Sequence, residues 1–439
     1  EFNIKNISFL NKDQSIDLNI SNFKKQSKYD VSFKDVELNS FTNKNSSILF
    51  DGKIKKKLFL NQQDEKFSGE SNLIISNLMS NNELIGDASL NLIASEDLKK
   101  INIDFFVIND FEKKLNLFGD FSIEENYYPL NLTLTSNDFK ISPFSNLIKN
   151  SISNFEGEFN SEIKITGNSS NPVFYGNIVT SNVAFKVPYL NVRYEIEDNS
   201  TFFLNDQSFF IDDFVLTNRL TNTFGNISGK ISHNLFKNWF LELDINSKNL
   251  MILNTQFNDN SLYYGTGMFN GNAIIYGPEE NILINLKGST NKNTSLVIPI
   301  KDSNNVGDFK FLNYINPNSE QSEFEKTAKS LLVELDIDFN SNANLEVILD
   351  SESQSRINGF GNGRLNFKIN TLGNFNMFGN FDVEKGSYFY KSLGIVNREF
   401  NILKGSRIVW NGDPYLGDLN INAKYEVPGG ANPAILIQN

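Results

Sequence analysis

The chain has 439 residues, no cysteine and a formal net charge of −12. The missing cysteine excludes disulfide bonds and thiolate metal sites. The acidic balance argues against nucleic acid as a partner, because phosphate binding needs clustered Lys and Arg, and the one basic run, at residues 55–57, is interpreted as a solvated strand edge or turn. No window approaches the ~18 apolar residues of a transmembrane helix. Because the sequence opens within a strand-like pattern and stops abruptly, we expect a fragment of a longer protein.

Amphipathic strands are the dominant signal in the sequence. Apolar and polar residues alternate with a period of two in many runs, such as Ile-Asp-Leu-Asn-Ile at 16–20 and Leu-Asn-Ile-Asn-Ala at 419–423. This period predicts β-strands with one apolar face and one wet face, and the clusters of Asn, Gly, Ser and Asp between the runs are typical of turns. Helical periodicity is scarce, and it predicts short helices only at residues 143–150, with Ser142 as the cap, and at 322–332.

The apolar face of such strands must be covered. A second sheet or a closed barrel would bury it in tandem domains of about 100–250 residues each, whereas one long curled sheet could wrap around something apolar that is not protein. Weak repeats of strand, glycine turn and strand recur without an obvious linker, which suits a sheet that grows strand by strand. The periodicity fits an ordinary core and an open groove equally well, since both place the same residues inside.

A search for chemistry finds no candidate catalytic residue, metal site or cofactor. His233 is the single histidine, and we predict that it lies at a strand end, in a turn or on the surface. The glycine-rich residues 359–363 run into a strand, which predicts a bulged strand or a turn and not a dinucleotide-binding loop. Residues 302–307 lack the ligands of a calcium loop. Asp336 and Asp338 alternate with apolar residues, which predicts a solvated strand face.

The last hundred residues carry a more specific pattern. Residues 400–414 read FNILKGSRIVWNGDP, which combines a rare tryptophan with a fixed turn. The pieces LDIDF at 335–339, INGFGNGRL at 357–365 and NFNMFG at 374–379 precede it. In this order and spacing, residues 331–425 resemble the C-terminal domain of the TamB (translocation and assembly module) proteins, in the form found in Bacteroidetes. The likeness extends upstream to about residue 230 and is only architectural before that.

The resemblance implies a fold and a role. TamB-like proteins are grouped with AsmA-like proteins, and the implied fold is all-β: a long single curled sheet, rich in antiparallel pairs, that forms an open hydrophobic trough with few short helices. The implied role is a non-enzymatic envelope protein that bridges the inner and outer membranes, aids outer-membrane protein assembly and secretion, and transports phospholipid through the apolar groove. The implied partners are phospholipid and a BamA-like outer-membrane barrel assembly protein. The implied location is the periplasm, with an N-terminal inner-membrane anchor that is absent from this fragment.

The resemblance also implies which side chains line the trough. Those candidates share the apolar parity of the matched strands: Leu335, Ile337, Phe339, Leu365, Phe367, Ile369, Phe381, Val383, Phe400, Ile402, Leu419, Ile421, Ala423 and Tyr425. A structural motif accompanies them, in which the turn made by Gly412, Asp413 and Pro414 positions Trp410.

We expect three regions along the chain. Residues 1–142 are predicted to be a region of repeated amphipathic strands, and residues 143–320 a repeated region with TamB-like features. Residues 321–439 are predicted to be a TamB C-terminal domain that is incomplete at its C-terminal end. The alternative function, from another class, is a surface adhesin or binding protein made of tandem β-sandwiches.

Overall fold

The fold is that of a computed structural model, which describes residues 3–41, 49–123, 129–148, 151–259, 263–299, 330–350, 355–370, 374–392 and 396–426. The chain separates into two compact units. The N-terminal unit comprises Glu1–Val187, Arg193–Phe214 and Ser228–Trp239. The C-terminal unit comprises Pro188–Val192, Val215–Ile227 and Phe240–Asn439. The three-region division made from the sequence stays a prediction.

The described residues form 27 strands in one mostly antiparallel sheet, together with two short 3₁₀ helices, Leu38–Ser40 and Ser142–Leu147. This confirms the all-β prediction. Among the described residues, no helix has the length and apolar character needed to cross a membrane. The strands are β1 (Asn3–Asn11), β2 (Gln14–Phe23), β3 (Gln26–Glu37), β4 (Phe50–Gln63), β5 (Lys66–Ser80), β6 (Glu83–Ala94), β7 (Lys100–Asn109), β8 (Glu112–Ser122), β9 (Leu130–Lys140), β10 (Ser153–Asn168), β11 (Asn171–Val187), β12 (Val192–Ile196), β13 (Thr201–Asp206), β14 (Ser208–Asn218), β15 (Thr223–Asn234), β16 (Lys237–Thr255), β17 (Tyr264–Pro278), β18 (Asn281–Thr290), β19 (Ser295–Pro299), β20 (Ser330–Phe339), β21 (Asn344–Asp350), β22 (Ser355–Asn370), β23 (Phe375–Ser392), β24 (Val396–Ile402), β25 (Ser406–Gly412), β26 (Asp418–Asn420) and β27 (Ala423–Lys424).

Sequential antiparallel pairing builds the N-terminal unit. Each strand from β1 to β10 pairs with the next strand along the chain, and β11 also pairs with β13. Many of the turns between them place polar residues in the left-handed region of the backbone, as at Asn81 and Asn82 (φ 51° and 70°). Asparagine tolerates that region better than most residues, so the asparagine-rich turns favour this meander.

A line of β-bulges crosses the strands of this unit. The pairs β3–β4, β5–β6, β7–β8 and β9–β10 each shift register at a corresponding level of the sheet. Asn77 and Asp138 take positive φ there (52° and 42°). The Asn77 N–H donates to the Asp87 carboxylate (2.8 Å), and the Asp138 N–H donates to the side-chain oxygen of Asn160 (2.8 Å). Since a bulge bends its strand, these aligned bulges bend the sheet along one line.

The 3₁₀ helix Ser142–Leu147 covers one margin of the bent sheet. Its Pro143 carbonyl accepts hydrogen bonds from the Ser80 hydroxyl (3.2 Å) and the Asn81 side-chain amide (3.0 Å), which reach it from the β5–β6 turn. The helix lies where residues 143–150 were predicted to be helical. Ser142 is not its cap, because this residue lies inside the helix and its hydroxyl donates to Glu83.

Parallel pairs distinguish the C-terminal unit. Strand β20 pairs in parallel with β18, and β21 pairs in parallel with β19. Both β20 and β21 then pair antiparallel with the long strand β22, whose register against β23 shifts between Phe360 and Gly361. Of the bulged strand or turn predicted for residues 359–363, the structure therefore shows the bulged strand. The helix predicted at 322–332 is wrong at its end, because Leu331 and Leu332 belong to β20; residues 322–329 lie outside the described part of the chain, as do residues 302–307.

The sheet of the C-terminal unit folds back on itself. Phe375 lies in a row of cross-strand partners that ends at Ile275 of β17. Tyr263 lies twelve residues before Ile275 in the sequence, and twelve residues of extended strand place the two about 40 Å apart. The rings of Tyr263 and Phe375 nevertheless lie 5.7 Å apart. Two parts of the sheet that are distant along its strands therefore face each other. The row runs through Ile369, Val333 and Ile284.

Candidate functional site

Two rows of mostly apolar residues cross the N-terminal unit, one residue per strand, on the same face of the sheet. Direct cross-strand partners point to one face, so the register identifies the members of each row. Together they are called the N-terminal apolar face. The first row is Ile7, Leu18, Val31, Leu58, Ser71, Leu92, Ile103, Gly119, Leu132, Ile165 and Phe174, and the second is Phe9, Ile16, Phe33, Lys56, Leu73, Leu90, Phe105, Leu117, Leu134 and Ile163.

Most side chains of the N-terminal apolar face are only half-buried. Leu58 is 36% exposed and Ile7 40% exposed, and neither row contains an acidic residue. The alternate positions of the same strands carry residues such as Asp17 and Asp104 on the opposite, wet face. An apolar face that remains half in contact with solvent is a candidate binding surface.

Aromatic packing closes one margin of this face. Phe144, in the 3₁₀ helix, lies 6.2 Å from Phe139 and 6.2 Å from Phe159 between ring centroids. Beneath these rings Ala88 and Val107 are buried, at 2% and 1% exposure. The covered margin contrasts with the half-exposed rows beside it.

The trough-lining candidates predicted from the sequence lie in the C-terminal unit, and most of them are buried by protein. Seven belong to one core, where Leu365 is 0% exposed and Phe381 is 1% exposed, and three more pack against it. The fold-back of the sheet, with Tyr263 against Phe375, explains this burial. Their role as a lining stays a prediction. The core members are Phe339, Leu365, Phe367, Ile369, Phe381, Val383 and Ile402, and the three that pack against them are Leu335, Ile337 and Ile421.

The other four candidates lie at the margin of that core. Phe400 is half-buried, and its ring lies 5.3 Å from that of Tyr425. Leu419 is 43% exposed although it pairs with the buried Ile408. Ala423 is exposed and pairs with Ile402 at the short last ladder.

Glycines shape the interior of this core. Gly363 lies between Phe339 and Phe381 in one cross-strand row, and the absence of a side chain there lets the two rings meet edge to face with 6.0 Å between centroids. Trp410 is 1% exposed, and its indole N–H donates to the Pro414 carbonyl (3.1 Å). The indole therefore contacts the turn that follows β25.

The opposite face of the C-terminal unit carries ion pairs. The Arg364 guanidinium donates two hydrogen bonds to the Asp336 carboxylate, at 2.9 and 2.6 Å, and these hold the pKa of that carboxyl below its ordinary value. Asp338 is exposed beside them. Both acids lie on the wet face, as predicted. The bidentate pairing with Arg364 was not predicted, because Arg364 lies 28 residues from Asp336 in the sequence.

His233 lies inside a cluster of aromatic rings in the N-terminal unit. It is at the end of β15, as predicted, and its Nδ1 accepts a hydrogen bond from the Phe236 N–H (3.2 Å) in the turn that follows, which confirms a turn role. Its side chain is 7% exposed, so the predicted surface role is wrong. Its ring stacks on Phe236 (4.5 Å) and lies 5.0 Å from Trp239 and 5.4 Å from Phe209. Burial lowers the pKa of the imidazole. Among the described residues, no cluster of three or more His, Cys, Asp or Glu could hold a metal ion.

The basic run at 55–57 lies in the middle of β4 and not at a strand edge or turn. Lys55 forms an ion pair with Asp35 (3.2 Å), while Lys57 is exposed on the wet face. Lys56 occupies the second row of the N-terminal apolar face, between Phe33 and Leu73. The sequence of the run alone could not reveal this. The face on which each lysine lies depends on the register of β4 with its neighbouring strands.

Comparison with known proteins identifies the family. The chain matches the TamB C-terminal domain over residues 212–435, just over half of its length. The chain belongs to the TamB family. No curated protein and no solved structure matches it.

Membership assigns the chain to envelope proteins that take part in outer-membrane protein assembly and secretion, a family of non-enzymatic translocation and assembly components. The TamB match includes strands β16 to β27 and the core described above. The N-terminal apolar face lies outside the matched residues. Most side chains predicted from the TamB resemblance therefore lie in or against the buried core of the C-terminal unit. The resemblance made no prediction for the more accessible N-terminal apolar face.

Proposed function

We propose that the chain binds phospholipid acyl chains on the N-terminal apolar face. In this proposal it is part of a periplasmic, inner-membrane-anchored TamB protein that bridges the two membranes, conducts phospholipid and aids the assembly or secretion of outer-membrane proteins with a BamA-like barrel partner. One observation carries the proposal: the two apolar rows of the N-terminal unit are half-exposed and without an acidic side chain. Family membership supports the envelope setting.

The dimensions of the face suit acyl chains. The first row crosses eleven strands, from Ile7 on β1 to Phe174 on β11. At a spacing of about 4.8 Å between strands, it extends about 48 Å across the sheet. One leaflet of a bilayer has a hydrocarbon thickness of about 15 Å, so the row is about three acyl chains long. The absence of acids on this face avoids the cost of desolvating a charge against hydrocarbon.

The alternative, a surface protein of tandem β-sandwiches, is favoured by the C-terminal unit alone. There the sheet covers its own apolar face, with Leu365 and Met377 at 0% exposure, as a sandwich would. The half-buried rows of the N-terminal unit, which include Leu58 and Leu92, are not accounted for by that alternative. Membership of the TamB family also favours the envelope role.

A transfer assay with a matched pair of variants tests the proposal. Leu92 lies in the first row, half-buried, and the next residue, Ile93, points to the opposite face with 56% exposure. In transfer of a fluorescent phospholipid between vesicles of phosphatidylethanolamine and phosphatidylglycerol, Leu92→Asp is expected to lower the rate at least about fivefold, because it places a charge against the acyl chain. Ile93→Asp is expected to leave the rate unchanged. Circular dichroism checks that both variants fold, and the proposal fails if the unaltered chain transfers no lipid or if both variants lose transfer equally.

A further inference from the structure

Lys56 is the one charged residue in the two rows of the N-terminal apolar face. Its row partners are Phe33 on β3 and Leu73 on β5, and its side chain is exposed. Its neighbours in sequence differ from it: Lys55 is paired with Asp35 (3.2 Å), and Lys57 lies on the wet face. Among the described residues, no carboxylate lies within 4.0 Å of the Lys56 ammonium group.

The backbone at Lys56 is also unusual for its residue type. Its φ is 77°, in the left-handed region, where a residue with a Cβ is strained. Every other non-glycine residue of positive φ inside a described strand of the N-terminal unit is Asp or Asn, as at Asn77 and Asp138. These two residue types adopt that conformation more readily. A lysine held in a strained conformation, where asparagine would fit better, indicates a use for its charge.

We propose that Lys56 binds the phosphate of a phospholipid head group whose acyl chains lie along the N-terminal apolar face. The inference rests on the proposed lipid-binding function and adds a head-group site to it. A cation within an apolar, acid-free surface is complementary to an amphipathic anion, and a charge-assisted hydrogen bond from the ammonium to a phosphate oxygen fixes where the head lies. The chain as a whole carries a net charge of −12, which does not favour anions elsewhere on its surface.

Binding of two lipids that differ only in the head group tests this site. The probes are a fluorescent phosphatidylglycerol and the matching fluorescent diacylglycerol, each titrated with the 439-residue chain in detergent micelles and followed by anisotropy. The unaltered chain is expected to bind phosphatidylglycerol about threefold to tenfold more tightly than diacylglycerol, as for a partly exposed ion pair. Lys56→Gln is expected to abolish that difference, and Lys57→Gln, the matched control on the wet face, is expected to keep it.

A second variant separates charge from backbone strain. Lys56→Asn is expected to lose the head-group preference like Lys56→Gln and to raise the Tm, because asparagine suits the positive φ. Retention of the preference in either Lys56 variant, or its loss in Lys57→Gln, overturns the head-group site. If the unaltered chain binds both lipids equally, only this site fails. If it binds neither, the proposed lipid-binding function fails with it.

Discussion

At the scale of single residues, we expect His233 to make the stability of the N-terminal unit depend on pH. Burial among Phe209, Phe236 and Trp239 lowers its pKa, and the charge of Asp206 opposes that shift more weakly. The unfolded chain therefore binds a proton more readily than the folded chain below the ordinary histidine pKa of about 6.5. The stability that the neutral imidazole contributes is fully present above that pH, and it is lost as the pH falls toward the pKa of the folded state.

Replacement of this histidine by an aromatic ring that cannot titrate tests the coupling. His233→Phe keeps a ring in the cluster and removes the proton-binding site. In urea unfolding at pH 7.5 and pH 5.0, the unaltered chain is expected to lose more stability on acidification than His233→Phe does. Equal losses in the two proteins would show that other groups carry the pH dependence.

Gly363 lies at a close approach of strands inside the core of the C-terminal unit. A Cβ at this position would lie 2.1 Å from the Asn380 carbonyl oxygen, and it would intrude between Phe339 and Phe381. Gly363→Ala is therefore expected to lower the free energy of unfolding by about 1–3 kcal/mol, as overpacked cores do. Asn376→Ala, at an exposed position of the adjacent strand β23, is expected to change it by no more than about 0.5 kcal/mol. Chemical denaturation of both variants measures the difference, and equal effects would contradict the packing assignment.

At the scale of elements, the aligned bulges of the N-terminal unit are held by side chains from adjacent strands. Asn160 accepts the Asp138 N–H (2.8 Å) and donates to the Asp138 carboxylate (3.0 Å). Asn160→Ala is expected to cost about 0.5–1.5 kcal/mol of unfolding free energy, since it removes the partner of a bulge N–H. Asn102→Ala, at an exposed position of β7 away from the bulge line, is the control. A loss for Asn160→Ala no larger than for the control would show that the bulge does not need this contact.

The elements themselves were largely predictable from the sequence, because period-two alternation depends only on near neighbours. It placed Asp336 and Leu335 on opposite faces correctly. The glycine-rich run at 359–363 indicated a bulged strand or a turn, and the structure has the bulged strand. What the alternation could not provide was register over long distances. The contact of Tyr263 with Phe375 joins residues more than a hundred positions apart, so the covering of the C-terminal core was not accessible to a local pattern.

The candidate site shows the same limit. The alternation along the strands identified the residues of the C-terminal core as a single face: ten of the fourteen predicted side chains lie in or against one cluster. The alternation could not distinguish a filled core from an open lining. The position of Lys56 in an apolar row follows from its pairing with Phe33 and Leu73 on two other strands. In the sequence it is merely the middle of three lysines, which is typical of a solvated segment.

At the scale of the whole molecule, the two units cover their apolar faces to different degrees. The C-terminal unit fills its interior with its own side chains, such as Leu365 and Met377 at 0% exposure. The N-terminal unit leaves two rows half-exposed, with Leu58 at 36%. A face that protein already covers has no room for an acyl chain at native packing density. If the chain binds phospholipid, the N-terminal unit is therefore where the acyl chains are expected to lie.

Photochemical mapping of the lipid contact tests that expectation most directly. A phospholipid with a diazirine in its acyl chain is bound to the unaltered chain and irradiated, and the labelled peptides are identified by mass spectrometry. The labels are expected on peptides that contain β2 to β9, at residues of the two apolar rows such as Leu90 and Leu117, and not on β22 to β25. Labels concentrated on the core of the C-terminal unit, at Leu365 or Phe367, would contradict the account.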